Sequence, residues 1–288
     1  MRLYRTTLGL ARGEGDDLLL LDLPHRDIEA LLADGVEVAR TARVSGRMGT
    51  GSIELLNPIS RPKNIYVVGA NYRDHVLEAG IQMPASPSFL RISVNPAVLA
   101  DPGSQILLPI EAAEQVDYEA ELAVLIGVGG KDIPVGEAWK HVGGLTAAND
   151  VSARDIQFQG MDHEAVVDAE AVRRSKSFPT FKPFGPAVVT PDEFTPSLDL
   201  TITTHVNGGL RQRSRTGRML FSIAEIIAAI SAAAPVVCGD VILTGTPAGV
   251  GLASKTYLRP GDTIDVAIEG IGLLRNTVAS SARDSRRP

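Results

Sequence analysis

The stretch VDYEAELAVLIG, residues 116–127, predicts a β-strand that carries acidic side chains. Successive side chains of a strand point to opposite faces, so residues two apart share a face. Glu119 and Glu121 therefore point the same way, and Asp117 shares that face one step earlier. The opposite face carries apolar side chains that suit a hydrophobic core: Val116, Tyr118, Ala120 and Leu122.

Two interpretations of this acidic face are open. It could be the solvated side of an edge strand, which is the common arrangement for charged residues. Alternatively, the strand is buried, and buried carboxylates then need a cationic partner or a metal ion. Mg²⁺ is a suitable ion because it takes few carboxylates, keeps some waters and leaves positions for substrate oxygens.

A metal site needs a further acid, and the candidate is Asp150 in the stretch TAANDVSARDIQ. It ends an apolar strand of small residues, where a short acid could face a neighbouring strand. Alternatively, Asp150 is the N-cap of a helix beginning near Ser152, because Asp side chains often accept hydrogen bonds from the free N–H groups of a first helical turn. The residues alone leave both interpretations open.

The composition is that of an ordinary globular protein. The 288 residues are 44% hydrophobic and 22% charged, and the formal net charge is −6. This net charge argues against a nucleic-acid partner, which would require clustered Lys and Arg. The single cysteine, Cys238, cannot form an intrachain disulfide, which fits a reducing compartment. Its apolar surroundings favour a small buried side chain over a catalytic one.

Neither a targeting segment nor a membrane segment is predicted. The first 17 residues have no long apolar run, which argues against a signal peptide. The most apolar stretch, residues 221–237, is interrupted by Glu225 and Pro235 and is too short to span a bilayer. We therefore expect a cytoplasmic protein without a membrane partner.

The order of the predicted elements indicates an α+β protein dominated by mixed or antiparallel sheets. Residues 1–58 predict a small β-rich N-terminal domain, and residues 59–288 predict the catalytic domain. The strongest helix signal is SIAEIIAAISAAA, with Ser222 as N-cap and Glu225 at the capping-box spacing. A hairpin is predicted at Asn207-Gly208, and IPVGEAWKHVG predicts a helix of two or three turns.

Six stretches, in order, resemble the fumarylacetoacetate hydrolase family, whose bacterial members include acylpyruvases and 2-hydroxyhepta-2,4-diene-1,7-dioate isomerases. They span about residues 62–278 and read VVGANYRDHVLEAG, ILLPIEAAEQVDYEAELAVLIG, VGGLTAANDVSARDIQ, KSFPTFKPFGPAVV, GDVILTGTPAGVG and GDTIDVAIEGIGLLRNTV. The ExE pair alone is weakly specific, whereas the ordered set is a strong signal. The resemblance implies a mixed β-roll catalytic domain and a homodimer.

The resemblance also implies a Mg²⁺ ion, or Mn²⁺, that is held by three carboxylates. The matching positions are Glu119, Glu121 and Asp150. Longer members of the family have one further acidic ligand ahead of a lid histidine. The corresponding segment here, IYVVGAN, contains no acid, so the three-carboxylate version is expected.

The stretch DHVLE places His75 and Glu78 three residues apart, which makes them neighbours on one face of a helical turn. Without the resemblance, this would be an ordinary surface helix. The resemblance implies a lid on which Glu78 orients His75, and a histidine is a usable base near neutral pH. Lys176 in RSKSFPTF matches a family lysine that reaches the substrate near the metal.

Four further positions match residues that contact the substrate in the family. Arg154 and Gln157 are expected to line the pocket, and the backbone N–H of Gly245 and the hydroxyl of Thr246 are expected to meet the substrate carboxylate. A Gly-rich turn at this point could equally be a plain strand connection. The segment 158–175 does not resemble the usual family linker and is expected to shape the lid side of the pocket.

The reaction implied first is Mg²⁺-dependent hydrolysis of an acylpyruvate, a 2,4-dioxo acid, to pyruvate and a carboxylic acid. His75 would deprotonate a water, and Lys176 would stabilise the developing oxyanion. Decarboxylation of oxaloacetate-like acids and isomerisation of 2-hydroxymuconate-like diacids are alternatives, since they use the same site without an attacking water. A non-catalytic binding protein would be expected to lack one of these groups, and all are present in the sequence.

Overall fold

The computed structural model describes residues 1–92, 94–158 and 168–281. Within these ranges the strands are β1 (Arg2–Thr6), β2 (Gly9–Glu14), β3 (Asp17–Leu21), β4 (Val44–Gly49), β5 (Leu55–Leu56), β6 (Ile65–Gly69), β7 (Ser88–Ile92), β8 (Leu99–Ala100), β9 (Gln105–Leu108), β10 (Val116–Asp117), β11 (Ala120–Ile126), β12 (Val142–Asn149), β13 (Ser152–Ala153), β14 (Lys182–Val189), β15 (Thr201–Val206), β16 (Gly209–Arg215), β17 (Val241–Leu243), β18 (Thr263–Ile268) and β19 (Gly272–Ser280).

The helices of the same ranges are short. The α-helices are α1 (Ile28–Asp34), α2 (Glu37–Thr41), α3 (Arg73–Glu78), α4 (Arg154–Phe158), α5 (Ala169–Ser175), α6 (Ile223–Ala233) and α7 (Gly251–Ser254). The 3₁₀ segments are Thr50–Ser52, Pro96–Val98, Val135–His141, Pro191–Glu193 and Thr216–Arg218. A bilayer could not be crossed by any of the described helices, because each is too short or too polar.

One large mixed sheet dominates the fold. It has twelve strands, and its main path runs β4-β3-β2-β1-β14-β12-β11-β17-β6-β7, with β5 on β1 and β8 on β14. The β17–β6 and β14–β8 pairs are parallel, and the remaining pairs of this sheet are antiparallel. Residues 1–58 contribute β1 to β5 and share the sheet with the remainder of the chain through the β1–β14 pair.

A second sheet of five strands runs β16-β15-β18-β19-β9, and β10 pairs with β13 in a short ribbon. The predicted combination of helices with mixed sheets is therefore confirmed. The predicted hairpin is also present, since Asn207 and Gly208 connect β15 to β16 with φ of 53° and 76°. Positive φ at both positions is the geometry that Asn-Gly turns favour.

The central strand β11 is buried on both faces. Leu122 and Val124 lie in one hydrophobic cluster, whereas Ala123 and Leu125 lie in another, on the opposite side of the sheet. Glu121 precedes this alternation on the face of Ala123, and it is buried as well. The interpretation of the acidic residues as the solvated side of an edge strand is therefore wrong.

The predicted continuous strand over residues 116–127 is interrupted between β10 and β11. Here side chains replace the backbone ladder: the N–H of Glu119 donates to Oδ1 of Asn149 at 2.9 Å, and the N–H of Ala120 donates to Oε1 of Gln212 at 3.0 Å. Because buried N–H groups need acceptors, these amide side chains stabilise the break. The interruption lets the two ends of the segment pair with different partners, β13 and β12.

Two helix predictions have different outcomes. The helix α6 is confirmed with its capping box, in which Ser222 and Glu225 bond each other's backbone N–H groups. The segment IPVGEAWKHVG instead forms a 3₁₀ segment, Val135–His141, rather than an α-helix. Gly136 near its start lowers the stability of an α-helix there.

Candidate metal centre and active site

The acids at positions 119, 121 and 150 lie together because β11 and β12 are antiparallel neighbours. Their register pairs Ala120 with Asn149, so the start of β11 lies beside the end of β12. The backbone N–H of Asp150 donates to the carbonyl oxygen of Glu119 at 2.8 Å. This pairing fixes two separate segments against each other at the site.

The three carboxylates form a compact group of oxygen donors. Glu119, Glu121 and Asp150 are all buried, and each offers one oxygen that lies within 4.8 Å of the other two. The predicted ligand set therefore converges in space. The side chain of Asp150 faces the other acids and two lysines, so it does not have the geometry expected of a simple N-cap.

Glu121 lacks a cationic partner. Its Oε2 accepts a hydrogen bond from the backbone N–H of Gly245 at 2.6 Å, but none of the Lys, Arg and His side chains in the described ranges forms an ion pair with it. Burial, together with the negative charges of Asp150 and Glu119, raises the pKa of Glu121 well above its ordinary value. A divalent cation would supply the missing positive charge, and three carboxylate oxygens suit Mg²⁺ or Mn²⁺. The donor set thus fits the metal that the resemblance implies.

Lys176 contacts the acids directly. Its Nζ donates to Oε2 of Glu119 at 2.7 Å, to Oδ2 of Asp150 at 2.5 Å and to Oγ of Ser152 at 2.9 Å. Burial alone would lower the pKa of Lys176, but the attraction of Asp150 and Glu119 outweighs burial and raises it. The ammonium group therefore stays charged at the position where the sequence prediction places it, beside the candidate metal ligands.

A second buried lysine, Lys182, lies beside the acids and is not among the site residues predicted from the sequence. Its Nζ lies 2.7 Å from Oδ1 of Asp150 and donates to the carbonyl oxygen of Lys176 at 2.6 Å. Burial lowers the pKa of Lys182, and Asp150 offsets this effect only in part. The sequence signal was weak, because a lysine in KPFGP is ordinarily expected at the surface.

Arg154 joins a metal-ligand candidate to a neighbouring acid. Its Nη2 donates to Oε1 of Glu119 at 2.6 Å, and its Nε donates to Oδ2 of Asp117 at 2.9 Å. Its Nη1 donates to Oε1 of Gln157 at 2.6 Å. Arg154 and Gln157 both line the cavity described below, and the guanidinium group of Arg154 also orients Glu119.

Asp117 has a supporting position that the sequence did not reveal. Its Oδ1 accepts the N–H of Gly251 at 2.6 Å, and its Oδ2 accepts the N–H of Leu252 at 2.9 Å, in addition to the bond from Arg154. Asp117 is not part of the group of carboxylates formed by Glu119, Glu121 and Asp150. Asp117 therefore connects the α7 segment, through Arg154, to a candidate metal ligand.

Gly245 and Thr246 use their polar groups within the protein. The N–H of Gly245 is bonded to Glu121, and the hydroxyl of Thr246 donates to the carbonyl oxygen of Ala120 at 2.9 Å. Gly245 has φ of +96°, and a Cβ there would lie 2.8 Å from Cβ of Asn71. Only glycine fits this turn, and its role in the structure is to orient a metal-ligand candidate.

His75 and Glu78 lie on α3 at the wall of the same cavity. Nδ1 of His75 is 3.6 Å from Oε2 of Glu78, which is an ion-pair distance and too long for a hydrogen bond. Nδ1 of His75 is buried and has no hydrogen-bond partner among the described residues. The two oxygens of Glu78 accept the N–H of Gly249 at 2.9 and 3.1 Å. A shift of about half an ångström would close the His–Glu hydrogen bond.

These groups surround one cavity of about 650 Å³, a volume typical of small-molecule sites. Its polar wall includes Glu119, Glu121, Asp150, His75, Glu78 and Lys176, together with Arg154, Gln157 and Thr246. Phe158 and Val172, on either side of residues 159–167, also line it. The expectation that the segment 158–175 shapes the lid side falls partly on residues 159–167, which lie outside the described residues.

Comparison with known proteins identifies the family. Residues 64–279 match the family described as fumarylacetoacetate (FAA) hydrolase C-terminal. The chain belongs to the fumarylacetoacetate hydrolase family, which confirms the resemblance drawn from the sequence stretches. The matching segment covers most of the chain and includes every candidate site residue, and homologues with named reactions are enzymes.

Several proteins similar to this chain have names that state a reaction. The chain is 36% identical to the bovine (Bos taurus) protein named oxaloacetate tautomerase FAHD2B, mitochondrial, over 94% of this chain and 87% of the bovine protein. The structure of fumarylacetoacetate hydrolase from Exiguobacterium antarcticum superposes with a TM-score of 0.82 at 34% identity, covering 98% of this chain and 100% of that one. The 2-hydroxyhepta-2,4-diene-1,7-dioate isomerase from Mycobacterium marinum gives 0.75 at 32%, with coverage of 98% and 100%.

Proposed function

We propose that this chain is a metal-dependent tautomerase that interconverts the keto and enol forms of oxaloacetate or a closely similar 2-oxo dicarboxylic acid. One observation carries the proposal: His75 lines the same cavity as the three converging carboxylates. The similarity to a protein named oxaloacetate tautomerase supports this choice among the reactions of the family.

The reaction moves one proton from C3 of the keto acid to the oxygen on C2, so it consumes no water and breaks no carbon–carbon bond. A Mg²⁺ or Mn²⁺ ion held by Glu119, Glu121 and Asp150 would supply Lewis-acid polarisation of the 2-oxo group. His75 accepts the C3 proton at a ring nitrogen and then returns it to the oxygen on C2, and Glu78 stabilises the intermediate imidazolium from its present distance of 3.6 Å.

Lys176 and Arg154 orient the metal-ligand acids in this mechanism. Lys176 holds Glu119 and Asp150 in place through contacts of 2.7 and 2.5 Å, and it adds positive potential where the enolate charge develops. Arg154 fixes the second oxygen of Glu119 at 2.6 Å. Burial strengthens both effects, because charges interact more strongly away from water.

Acylpyruvate hydrolysis is the second candidate. The closeness of His75 to Glu78 favours it, since such a pair can deprotonate a water that then attacks the C4 carbonyl. Decarboxylation of oxaloacetate-like acids and isomerisation of 2-hydroxymuconate-like diacids use the same groups, and the isomerase from Mycobacterium marinum supports the latter. Tautomerisation ranks first because a single proton-transfer group suffices for it.

The test is a comparison of substrates with Mg²⁺ present. We expect faster decay of the ultraviolet absorbance of enol-oxaloacetate, without pyruvate release from acetylpyruvate or fumarylpyruvate. His75→Asn should lower the tautomerase rate by about 10²–10⁴-fold, the usual contribution of a general base. His205→Asn, on β15 outside the cavity wall, is the matched control and should retain the rate. Pyruvate formation as the dominant reaction, or full activity of His75→Asn, would overturn the proposal.

Three further properties belong to the same proposal. We expect Mg²⁺ to be the working ion, with Mn²⁺ as a substitute, because both accept three carboxylate oxygens. A homodimer is expected from the family and would be measured by sedimentation. A cytoplasmic location is expected from the sequence, although the bovine relative is named as mitochondrial.

A further inference from the structure

Among the described residues, the cavity wall carries one Lys or Arg side chain outside the buried ion-pair network. Lys255 lines the cavity and is exposed to solvent, and within the described ranges it has no ion-pair partner. The other two cations of the wall differ from it: Lys176 is bonded to Glu119 and Asp150, and Arg154 to Glu119 and Asp117. Lys255 is therefore the cation available to an anionic group that enters the cavity.

The backbone holds Lys255 in a defined place. It follows α7 in a left-handed conformation, with φ of 52° and ψ of 35°, and its N–H is bonded to the carbonyl oxygen of Gly251. Gly251 is in turn bonded to Asp117 at 2.6 Å, and nearby Gly249 is bonded to Glu78 at 2.9 Å. The segment that carries Lys255 is thus hydrogen-bonded on one side to Asp117, which supports Glu119 through Arg154. On the other side it is hydrogen-bonded to Glu78 of α3.

A dicarboxylic 2-oxo acid has a second, distal carboxylate that would not lie next to Glu119, Glu121 and Asp150. Its 2-oxo group and adjacent carboxylate are the atoms expected near a bound metal, which leaves the distal carboxylate elsewhere in the cavity. Much of the remaining wall is apolar and includes Phe89, Leu90 and Val250. A carboxylate against such a wall needs a cationic partner to offset its lost hydration.

We infer that Lys255 binds the distal carboxylate of the substrate and makes the site selective for dicarboxylic over monocarboxylic 2-oxo acids. This inference rests on the proposed function, since it specifies which 2-oxo acids the site accepts. The long, flexible lysine stem lets the ammonium group follow diacids of somewhat different lengths. Lys255 is a specificity residue in this account, because it contacts the substrate far from the exchanging proton.

The binding test uses two ligands that differ only at the distal group. Malate and 2-hydroxybutyrate share four carbons and a 2-hydroxy acid end, but 2-hydroxybutyrate has a methyl group in place of the second carboxylate. We expect titration calorimetry with saturating Mn²⁺ to give about fivefold tighter binding of malate, the upper range for one solvent-accessible ion pair. Lys255→Met should remove the preference, and Lys255→Arg should keep most of it.

The matched control is Lys63→Met, because Lys63 is an exposed lysine outside the cavity wall. It should leave the malate preference unchanged. In kinetics, Lys255→Met should raise KM for oxaloacetate about fivefold and leave kcat within twofold, since an ion pair formed equally in ground and transition states affects binding alone.

The outcomes separate this inference from the proposed reaction. A malate preference that depends on Lys255, in a protein without tautomerase activity, supports the inference and rejects the reaction. Equal binding of both ligands by the unmodified protein overturns the inference, and so does undetectable malate binding. A preference that persists in Lys255→Met also overturns it, whatever the tautomerase rate.

Discussion

The ammonium nitrogen of Lys182 lies 2.7 Å from Oδ1 of Asp150, and the lysine side chain is fully buried. Its three hydrogen bonds go to backbone carbonyl oxygens, those of Val151 at 3.4 Å, Lys176 at 2.6 Å and Phe181 at 3.1 Å. A buried ion pair of this kind is costly to break from one side, because the partner keeps an uncompensated charge. Lys182 therefore fixes a candidate metal ligand from beneath the site.

Replacement of Lys182 should destabilise the protein chiefly when no metal is bound. We expect Lys182→Met to lower the free energy of unfolding by about 3 kcal/mol in metal-free buffer. Saturating Mn²⁺ should restore part of this loss, because the cation compensates the charge of Asp150. Urea denaturation with and without Mn²⁺ measures both effects. The control is Lys131→Met, which breaks an exposed pair with Asp132 and should cost less than about 1 kcal/mol.

Asp117 should affect metal affinity without being a ligand. In Asp117→Asn the charge that orients Arg154 is lost, so Glu119 is held less firmly. Supporting residues of this kind typically contribute about 10–100-fold to metal affinity. We expect the Mn²⁺ dissociation constant, measured by electron paramagnetic resonance titration, to be at least tenfold larger than that of the unmodified protein. Asp132→Asn, at the surface, should leave the constant unchanged, and equal constants for all three proteins would contradict the role of Asp117.

Gly245 and Gly208 allow a matched comparison of two glycines. Both have positive φ, but a Cβ at position 245 would collide with Asn71, whereas a Cβ at 208 meets nothing within 4 Å. Gly208→Ala should therefore cost only the strain of its backbone, about 1 kcal/mol. Gly245→Ala should cost about 2 kcal/mol more and weaken Mn²⁺ binding, because its N–H orients Glu121. Similar losses in both variants, with unchanged Mn²⁺ binding, would contradict this view.

Glu29 lies outside the cavity wall. Its carboxyl group should make the free energy of unfolding depend on pH. Burial raises the pKa of Glu29 above its ordinary value of 4.5, despite hydrogen bonds such as that from the N–H of Arg61 at 2.7 Å. The folded state therefore binds the Glu29 proton more tightly than the unfolded state does. The stability that this proton contributes is complete below pH 4.5 and is lost as the pH rises through the folded-state pKa.

We expect Glu29→Gln to be more stable than the unmodified protein at pH 7, with the difference shrinking toward pH 4.5. Urea denaturation at the two pH values measures the change. Glu37→Gln is the control, because Glu37 is exposed and pairs with Arg40 on the surface. A Glu29→Gln difference that is constant with pH would show that Glu29 does not titrate as proposed.

Local features of the fold were predictable where neighbouring residues decide the outcome. Ser222 and Glu225 form a capping box within one helical turn, and Asn207-Gly208 form a turn within one hairpin. The alternation of residues 116–127 also predicted that Glu119 and Glu121 point the same way, and their carboxylates lie in one group. Each of these depends on residues only a few positions apart, so the signal is present in the local sequence.

The supporting groups of the site were not predictable in the same way. Asp117 has Arg154 and Gly251 as partners, which are 37 and 134 positions away in the chain. Lys182 contacts Asp150 because β12 and β14 are neighbours in the sheet. Such contacts follow from strand order, and a single sequence without its sheet topology gives no register for them.

The central claim is that Glu119, Glu121 and Asp150 together bind a divalent cation, and anomalous diffraction tests it most directly. Crystals soaked in Mn²⁺ and measured near the manganese absorption edge should give an anomalous peak about 2.2 Å from an oxygen of each carboxylate, within the range of hard-cation oxygen bonds. The same peak should be absent from crystals of Glu121→Gln. An empty anomalous map at these carboxylates in the unmodified protein would contradict the account.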